Sequence, residues 1–306
     1  MKPTQVTVNN SISKIDKPSN NKSMMRIFLL PGVIVVAVVT QLPFLITIIF
    51  SLFRYNIQNP SQNGFAGISN FISVFQNPSF YSALLNLLVM TLASVVICAI
   101  LGMMFALLLN RKFIGVNIIR TLVIMPLFVM DAVIGVIWRT LMLNSSFGLN
   151  AVIGDFIGTG AVEFFSKYPL QTIIMLIVWQ WTPFFVLVFL AGVQSIPNEI
   201  EDSAKVDGAF GVKKFFLIDI PLMQYHIQVA VMLGLVFILK VFGLIYVTTN
   251  GGPGIASTNL PFYSYRITFF QWDVGLASVV AVASVIVSLM LLLSIFKLLQ
   301  SRMGEN

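Results

Sequence analysis

Three polar side chains interrupt long apolar runs: Asp131, Gln180 and Lys240. A charge at the centre of a bilayer costs roughly 3 kcal/mol on insertion scales, so an ionisable residue there marks a solute path or an internal pair. Asp131 follows Arg120 by eleven residues, about 16 Å of helix, and Gln180 sits at a similar depth in the next run. Lys240 follows Tyr225 by fifteen residues, about 22 Å, in the outer half of its run. The three could line one hydrophilic cavity. Trp179 and Trp181 flank Gln180. Indole faces suit the C–H faces of a sugar or polyol, while its hydroxyls seek amides and charges. Asn250, in the loop after the fifth run, joins this candidate path. The competing readings are an Asp131–Lys240 structural pair, or Lys240 snorkelling outwards.

Other chemistry finds little support. No G-x-x-x-x-G-K-[ST] loop is present, so the chain has no phosphate cradle for ATP. G-x-S-x-G, H-E-x-x-H and paired cysteines are also missing. Cys98 is the one cysteine and His226 the one histidine, which gives no basis for a metal site. No catalytic residue is expected, and any ATP and magnesium would belong to a separate subunit. The glycine cluster Gly251, Gly252, Pro253 and Gly254 reads as a flexible turn, or as an outer gate or contact site for a binding protein.

The elements that must hold these residues are membrane spans. Of 306 residues, 58% are hydrophobic and 9% charged, with a mean hydropathy of +0.93. A soluble domain would carry about 25% charged residues. The net charge of +7 does not indicate nucleic acid, because the cations lie in short segments between apolar runs. Residues 1–25 read as a disordered cytoplasmic tail. Apolar runs over 26–53, 82–109, 118–143, 169–193, 223–247 and 274–296 predict six transmembrane helices in an all-α integral membrane fold. The first run is too long for a signal-peptide core and shows no small-residue cleavage site, so it is expected to be retained. Thirteen Lys and Arg fall on the side holding both termini, against four on the other, so both termini are expected to be cytoplasmic. The permease domain is thus 26–300, with a cytoplasmic tail 301–306.

Residues 196–221, IPNEIEDSAKVDGAFGVKKFFLIDIP, form the longest charged stretch in the second half. Pro197 and Asn198 open a short helix with acids in its first turns. Gly208 interrupts it, a second amphipathic piece follows, and Pro221 is expected to end that piece. The stretch resembles the cytoplasmic coupling loop of ABC importer permeases, whose pattern is Glu-Ala-Ala, three residues, Gly, nine residues, Ile, one residue, Leu-Pro. Asp202, Ser203, Ala204, Gly208, Ile218, Ile220 and Pro221 keep that spacing with three conservative departures, and Asp207 fits the sugar-importer version. FAGISNFISVFQNPSFYSALLNLLVMT, GMMFALLLNRKFIGVNIIRTLVIMP and TTNGGPG also resemble sugar-class permeases of the maltose and glycerol-phosphate type, over roughly 26–300.

The resemblance implies a multi-pass permease subunit of the bacterial inner membrane, working by alternating access. It implies a second related permease, two cytoplasmic ABC ATPases, an extracytoplasmic solute-binding protein and a sugar or polyol substrate. The alternative is a secondary transporter powered by an ion gradient, for which Asp131 is the only clear intramembrane carboxylate.

Overall fold

The computed structural model describes residues 22–303, with side chains described over 29–301. It is helical nearly throughout. The helices are α1 (Lys22–Ser51), α2 (Ser69–Phe75), α3 (Pro78–Leu109), α4 (Val116–Ile124), α5 (Asp131–Val136), α6 (Leu149–Ile157), α7 (Phe164–Lys167) and α8 (Pro169–Gln194). They continue as α9 (Asn198–Val206), α10 (Gly211–Lys214), α11 (Ile220–Leu222), α12 (Gln224–Leu239), α13 (Gly243–Thr248), α14 (Leu260–Phe270) and α15 (Val274–Met303). Strands β1 (Phe53–Arg54) and β2 (Gly64–Phe65) form a small antiparallel hairpin.

The chain divides into two units, 1–46 and 47–306. The described part of the first is the body of α1, continuous through Pro31 and Pro43. The expected tail 1–25 lies outside the described residues as far as 21. Its last four residues already belong to α1, so that boundary moves inward. At the other end α15 runs through 303, past the expected start of the tail at 301.

Among the described residues four helices are long and apolar enough to cross a membrane alone: Leu29–Ser51 within α1, then α3, α8, and Val274–Ser301 within α15. Six crossings result only if two bent pairs each count as one. The third expected span, 118–143, is one of these. Its two arms, Val116–Phe128 and Asp131–Met142, meet at 98°. Pro126 lacks an N–H and sits in a tight 3₁₀ turn, Met125–Phe128. Val129 and Met130 then run extended, and α5 restarts at Asp131 before a π-helical stretch, Ile137–Met142.

The fifth expected span, 223–247, is also discontinuous. Helix α12 stops at Leu239, Lys240 and Phe242 leave helical geometry, and α13 resumes at Gly243. No proline causes this break. At its start, α12 turns 72° away from Gly211–Leu222.

The core of the second unit joins α3, α8 and α12. In lipid, helices gain little from hiding apolar surface and rely on close fit and hydrogen bonds. Here Phe185 of α8 is wedged between two glycines. A Cβ at Gly102 of α3 would overlap the Phe185 Cβ, and one at Gly234 of α12 would overlap its ring tip. Cys98 is buried nearby and receives the Thr182 hydroxyl at 3.7 Å.

Two loops carry helices that the polar sequence concealed. Residues 144–168 hold α6 and α7, and the stretch after the fifth span holds α14. Asn259 caps α14, its Oδ1 accepting from the Phe262 N–H at 3.0 Å, with Pro261 in the first turn.

Candidate solute path and coupling element

The two helix breaks lie together. Each frees a backbone carbonyl that no water in the bilayer core can satisfy. At the first, the Gln180 Nε2 donates to the Val129 carbonyl at 3.2 Å. At the second, the Asn259 Nδ2 donates to the Val241 carbonyl at 2.7 Å. Helices α5 and α13 pack at close range: a Cβ on Gly243 would lie 3.1 Å from that of Asp131, and one on Gly135 3.0 Å from Val247. Arg139 ties the pair further, donating to the Val247 carbonyl at 2.9 Å.

Asp131 and Gln180 meet directly, the Gln180 Nε2 donating to the Asp131 Oδ1 at 2.8 Å. Gln180 is 3% exposed, and its Oε1 has no hydrogen-bond partner.

The other expected path residues turn elsewhere. Consecutive helical residues point about 100° apart. Trp179 meets Trp138 edge-on at 5.6 Å and lines a separate cavity of about 390 Å³ with Leu122, Pro126 and Pro183. Trp181 stacks on Phe237 at 4.9 Å, with its indole N–H unpartnered. Lys240 makes no ion pair among the described residues, so the Asp131–Lys240 pair is not formed. Its ammonium lies 5.1 Å from the centre of the Phe237 ring, over a cavity of about 270 Å³ with Ser284 and Ser288. Asn250 is exposed at the end of α13, at a φ of +50°. Asp131, Gln180 and Lys240 therefore do not converge on one cavity through these contacts.

In the glycine cluster Gly251 is buried while Pro253 and Gly254 are exposed, and the packed part is the segment that follows. Ser257, Thr258 and Asn259 are fully buried. The Ser257 hydroxyl donates to Thr249 Oγ1 at 2.7 Å, and the Thr258 hydroxyl to the Gly251 carbonyl at 3.0 Å. Asn86 of α3 donates to the carbonyls of Ile255 and Thr258, both at 3.0 Å. Gly251 has a φ of +79°, and a Cβ there would strike Thr258 Oγ1 and Phe262.

The stretch 196–221 is a built element. Helix α9 ends at a left-handed Gly208, φ +67°. The Gly208 N–H bonds the Lys205 carbonyl at 3.2 Å, and the Ala209 N–H the Ala204 carbonyl at 2.8 Å. This is a Schellman stop, closed by the buried alanines 204 and 209. Beyond it, α10, a π-helical turn Phe215–Asp219 and α11 form one helical stretch. Ile218 lies in the π turn. Pro221 does not end the stretch: it sits in the first turn of α11, where its missing N–H is tolerated, and the chain turns at Met223.

Lys214 locks the two halves together. It bonds Asp219 at 2.9 Å and Glu201 of α9 at 3.2 Å. Burial pulls its pKa down, but the hydrogen bonds to Asp219 and Glu201 outweigh this and leave it raised. Asp202 and Ser203 face solvent. Asp202 pairs with Lys205 at 2.7 Å and holds that ammonium above its usual range. Ser203 bonds back to the Glu199 carbonyl at 2.8 Å, and Asp207 is the exposed helix end. Val206, Phe210 and Val212 are strongly exposed on this otherwise charged element.

Sequence reasoning missed Asn259, Gly243, Lys214 and Asp219. Asn259 was readable as a cap before Pro261. The other three show their roles only in the folded chain.

No family model matches the chain. Over 250 residues it is 30% identical to a probable ABC transporter permease protein, y4oQ, of Sinorhizobium fredii, covering 81% of each. Over 266 residues it is 31% identical to the trehalose/maltose transport system permease protein MalF of Thermococcus litoralis, covering 86% of this chain and 89% of that one. Its fold matches a solved bacterial alginate ABC transporter in complex with alginate pentasaccharide-bound periplasmic protein, with a TM-score of 0.76 at 23% identity, covering 89% of this chain and 92% of that one. The fold is that of a helical transporter subunit, and the relatives make the chain a permease, a translocation subunit and not an enzyme. It belongs to the family of ABC transporter permease subunits, with its place in the inner membrane, which sets aside the ion-gradient alternative.

Proposed function

We propose that this chain is the permease subunit of an ATP-driven sugar or polyol uptake system. The observation that carries the reading is the element 196–221. It keeps the spacing of an ABC coupling loop, folds into two short helices locked by Lys214, and leaves Val206, Phe210 and Val212 uncovered. Exposed apolar residues on a charged element fit a partner surface. That partner is a separate ATPase carrying ATP and magnesium, in two copies. A second related permease completes the path, and an extracytoplasmic binding protein delivers the solute. Both termini and the coupling element lie on the cytoplasmic side, by the distribution of Lys and Arg.

The solute class follows the trehalose/maltose permease among its relatives. The bare Gln180 Oε1 and the Asp131 carboxylate accept from solute hydroxyls at the paired breaks. Discontinuous helices at mid-membrane are where transporters place their substrates.

The test is co-purification followed by transport. The tagged chain, extracted gently from its own membrane, is expected to bring a Walker-motif ATPase and lose it on Gly208→Pro. Proteoliposomes of the intact assembly with its binding protein should take up labelled sugar with ATP inside and ignore an uncoupler. Arrival without an ATPase, or uptake that follows an ion gradient, overturns the proposal.

A further inference from the structure

Beside the coupling element, an apolar slot of about 460 Å³ opens on the flank of the bundle. Its walls are Ile100, Met104 and Leu107 of α3, Phe189 of α8, and Phe216 and Ile220 of the stretch leading into α12. No polar side chain lines it. Ile100, Met104 and Phe216 are each more than half exposed, so the slot is open along its length.

Two cations stand at the same end. Lys213 is three residues before Phe216 on one helical stretch, and Arg111 lies two residues beyond the end of α3 at Leu109, just past the end of the slot that Leu107 lines. Among the described residues neither has an acidic partner, because Lys214 takes both Glu201 and Asp219. No Asp or Glu occurs between residues 82 and 130.

We infer that this slot holds an acyl chain of an anionic phospholipid whose phosphate lies against Lys213 and Arg111. The polarity pattern selects the occupant. A protein helix filling the slot would have to bring carboxylates to one end of an apolar stripe. An anionic phospholipid carries the charge and the apolar tail in one molecule, and basic positions between helices at a membrane face suit such headgroups. The lipid braces Phe216 and Ile220, where the coupling element joins α12, so membrane headgroup charge tunes the stiffness of that joint. The inference uses the membrane placement of the chain and does not depend on what docks on the coupling element.

The test is native mass spectrometry of the intact assembly in neutral detergent, offered phosphatidylglycerol and phosphatidylcholine in equal amounts. Phosphatidylglycerol should be retained preferentially. Lys213→Gln and Arg111→Gln should each cut that preference about fivefold, the equivalent of ~1 kcal/mol per cation. Ala99→Trp, which fills the slot, should reduce retention of both lipids. A photoreactive benzoylphenylalanine at position 104 should label phospholipid. Equal retention of the two lipids by the natural chain, an unchanged preference in both charge variants, or a position-104 crosslink to a polypeptide would each overturn the inference. The count of bound lipid needs no ATPase present, so its failure is separable from failure of the transport reading.

Discussion

Lys214→Met should unlock the coupling element without unfolding the bundle. Among the described residues Lys214 is the only cation paired with Asp219, whose side chain is 7% exposed, while the Lys214 side chain is 24% exposed. Removing one partner of a fully buried pair costs roughly 3–5 kcal/mol, because the remaining charge is stranded. With Lys214 a quarter exposed, about 2–3 kcal/mol is expected from Asp219. Glu201 is one-third exposed at 3.2 Å and adds under about 1 kcal/mol. The readout is local: hydrogen exchange at the Gly208 and Ala209 amides, which bond the α9 carbonyls only while the Schellman stop is closed. A loss of about 2–3 kcal/mol speeds exchange there roughly 30- to 150-fold. Asp219→Asn on the Lys214→Met background removes the stranded charge and should restore most of the protection. Less than about a threefold change for Lys214→Met refutes the locking role, and the degree of recovery in the double variant separates the stranded charge from the lost bridge.

The same lock should loosen in alkali. A lysine whose pKa is raised by folding contributes stability that is complete below its unfolded value of about 10.4 and is lost as pH rises through the folded value. Protection of Ala209 should therefore hold at neutral pH and decline only above about pH 10.5. Gly208→Ala has room for its methyl group but must hold a left-handed backbone, so exchange at Ala209 should speed by about 1–2 kcal/mol. Gln180→Leu strands the Val129 carbonyl and Asp131 together. Sugar uptake by proteoliposomes should fall at least tenfold, with coupling to the ATPase retained, whereas equal uptake would remove Gln180 from the path. Gly234→Val drives a side chain into the Phe185 ring. The melting temperature of the detergent-purified chain should drop by several degrees, for an overpacking cost of about 1–3 kcal/mol.

The class, the long spans and the short-helix, glycine, short-helix element at 196–221 were legible because each has a one-dimensional signature. Apolar length marks α1, α3, α8 and α15, and fixed spacing marks Asp202 to Pro221. The polar intruders in the spans were also legible, and two of them, Asp131 and Gln180, do meet. Their partnership was not, because it depends on the break at Val129 and Met130. The break before Gly243 was less visible still. The sequence LVFILKVFGLIY is apolar on both sides, holds no proline, and would read as one helix by any periodicity. What stabilises the break is Asn259, eighteen residues downstream from the carbonyl it satisfies. Trp179 and Trp181 face away from the Asp131–Gln180 contact for a simpler reason: neighbours in sequence on a helix do not share a face.

The Phe185 wedge has a mechanical meaning. It keys α3, α8 and α12 together at one level, and the element 196–221 is the strap joining α8 to α12. Sliding any of the three past the others would force the ring out of two glycine notches. A push delivered to the strap is therefore carried by a solid block, and the compliance lies in the two interrupted helices, which are hinges already cut.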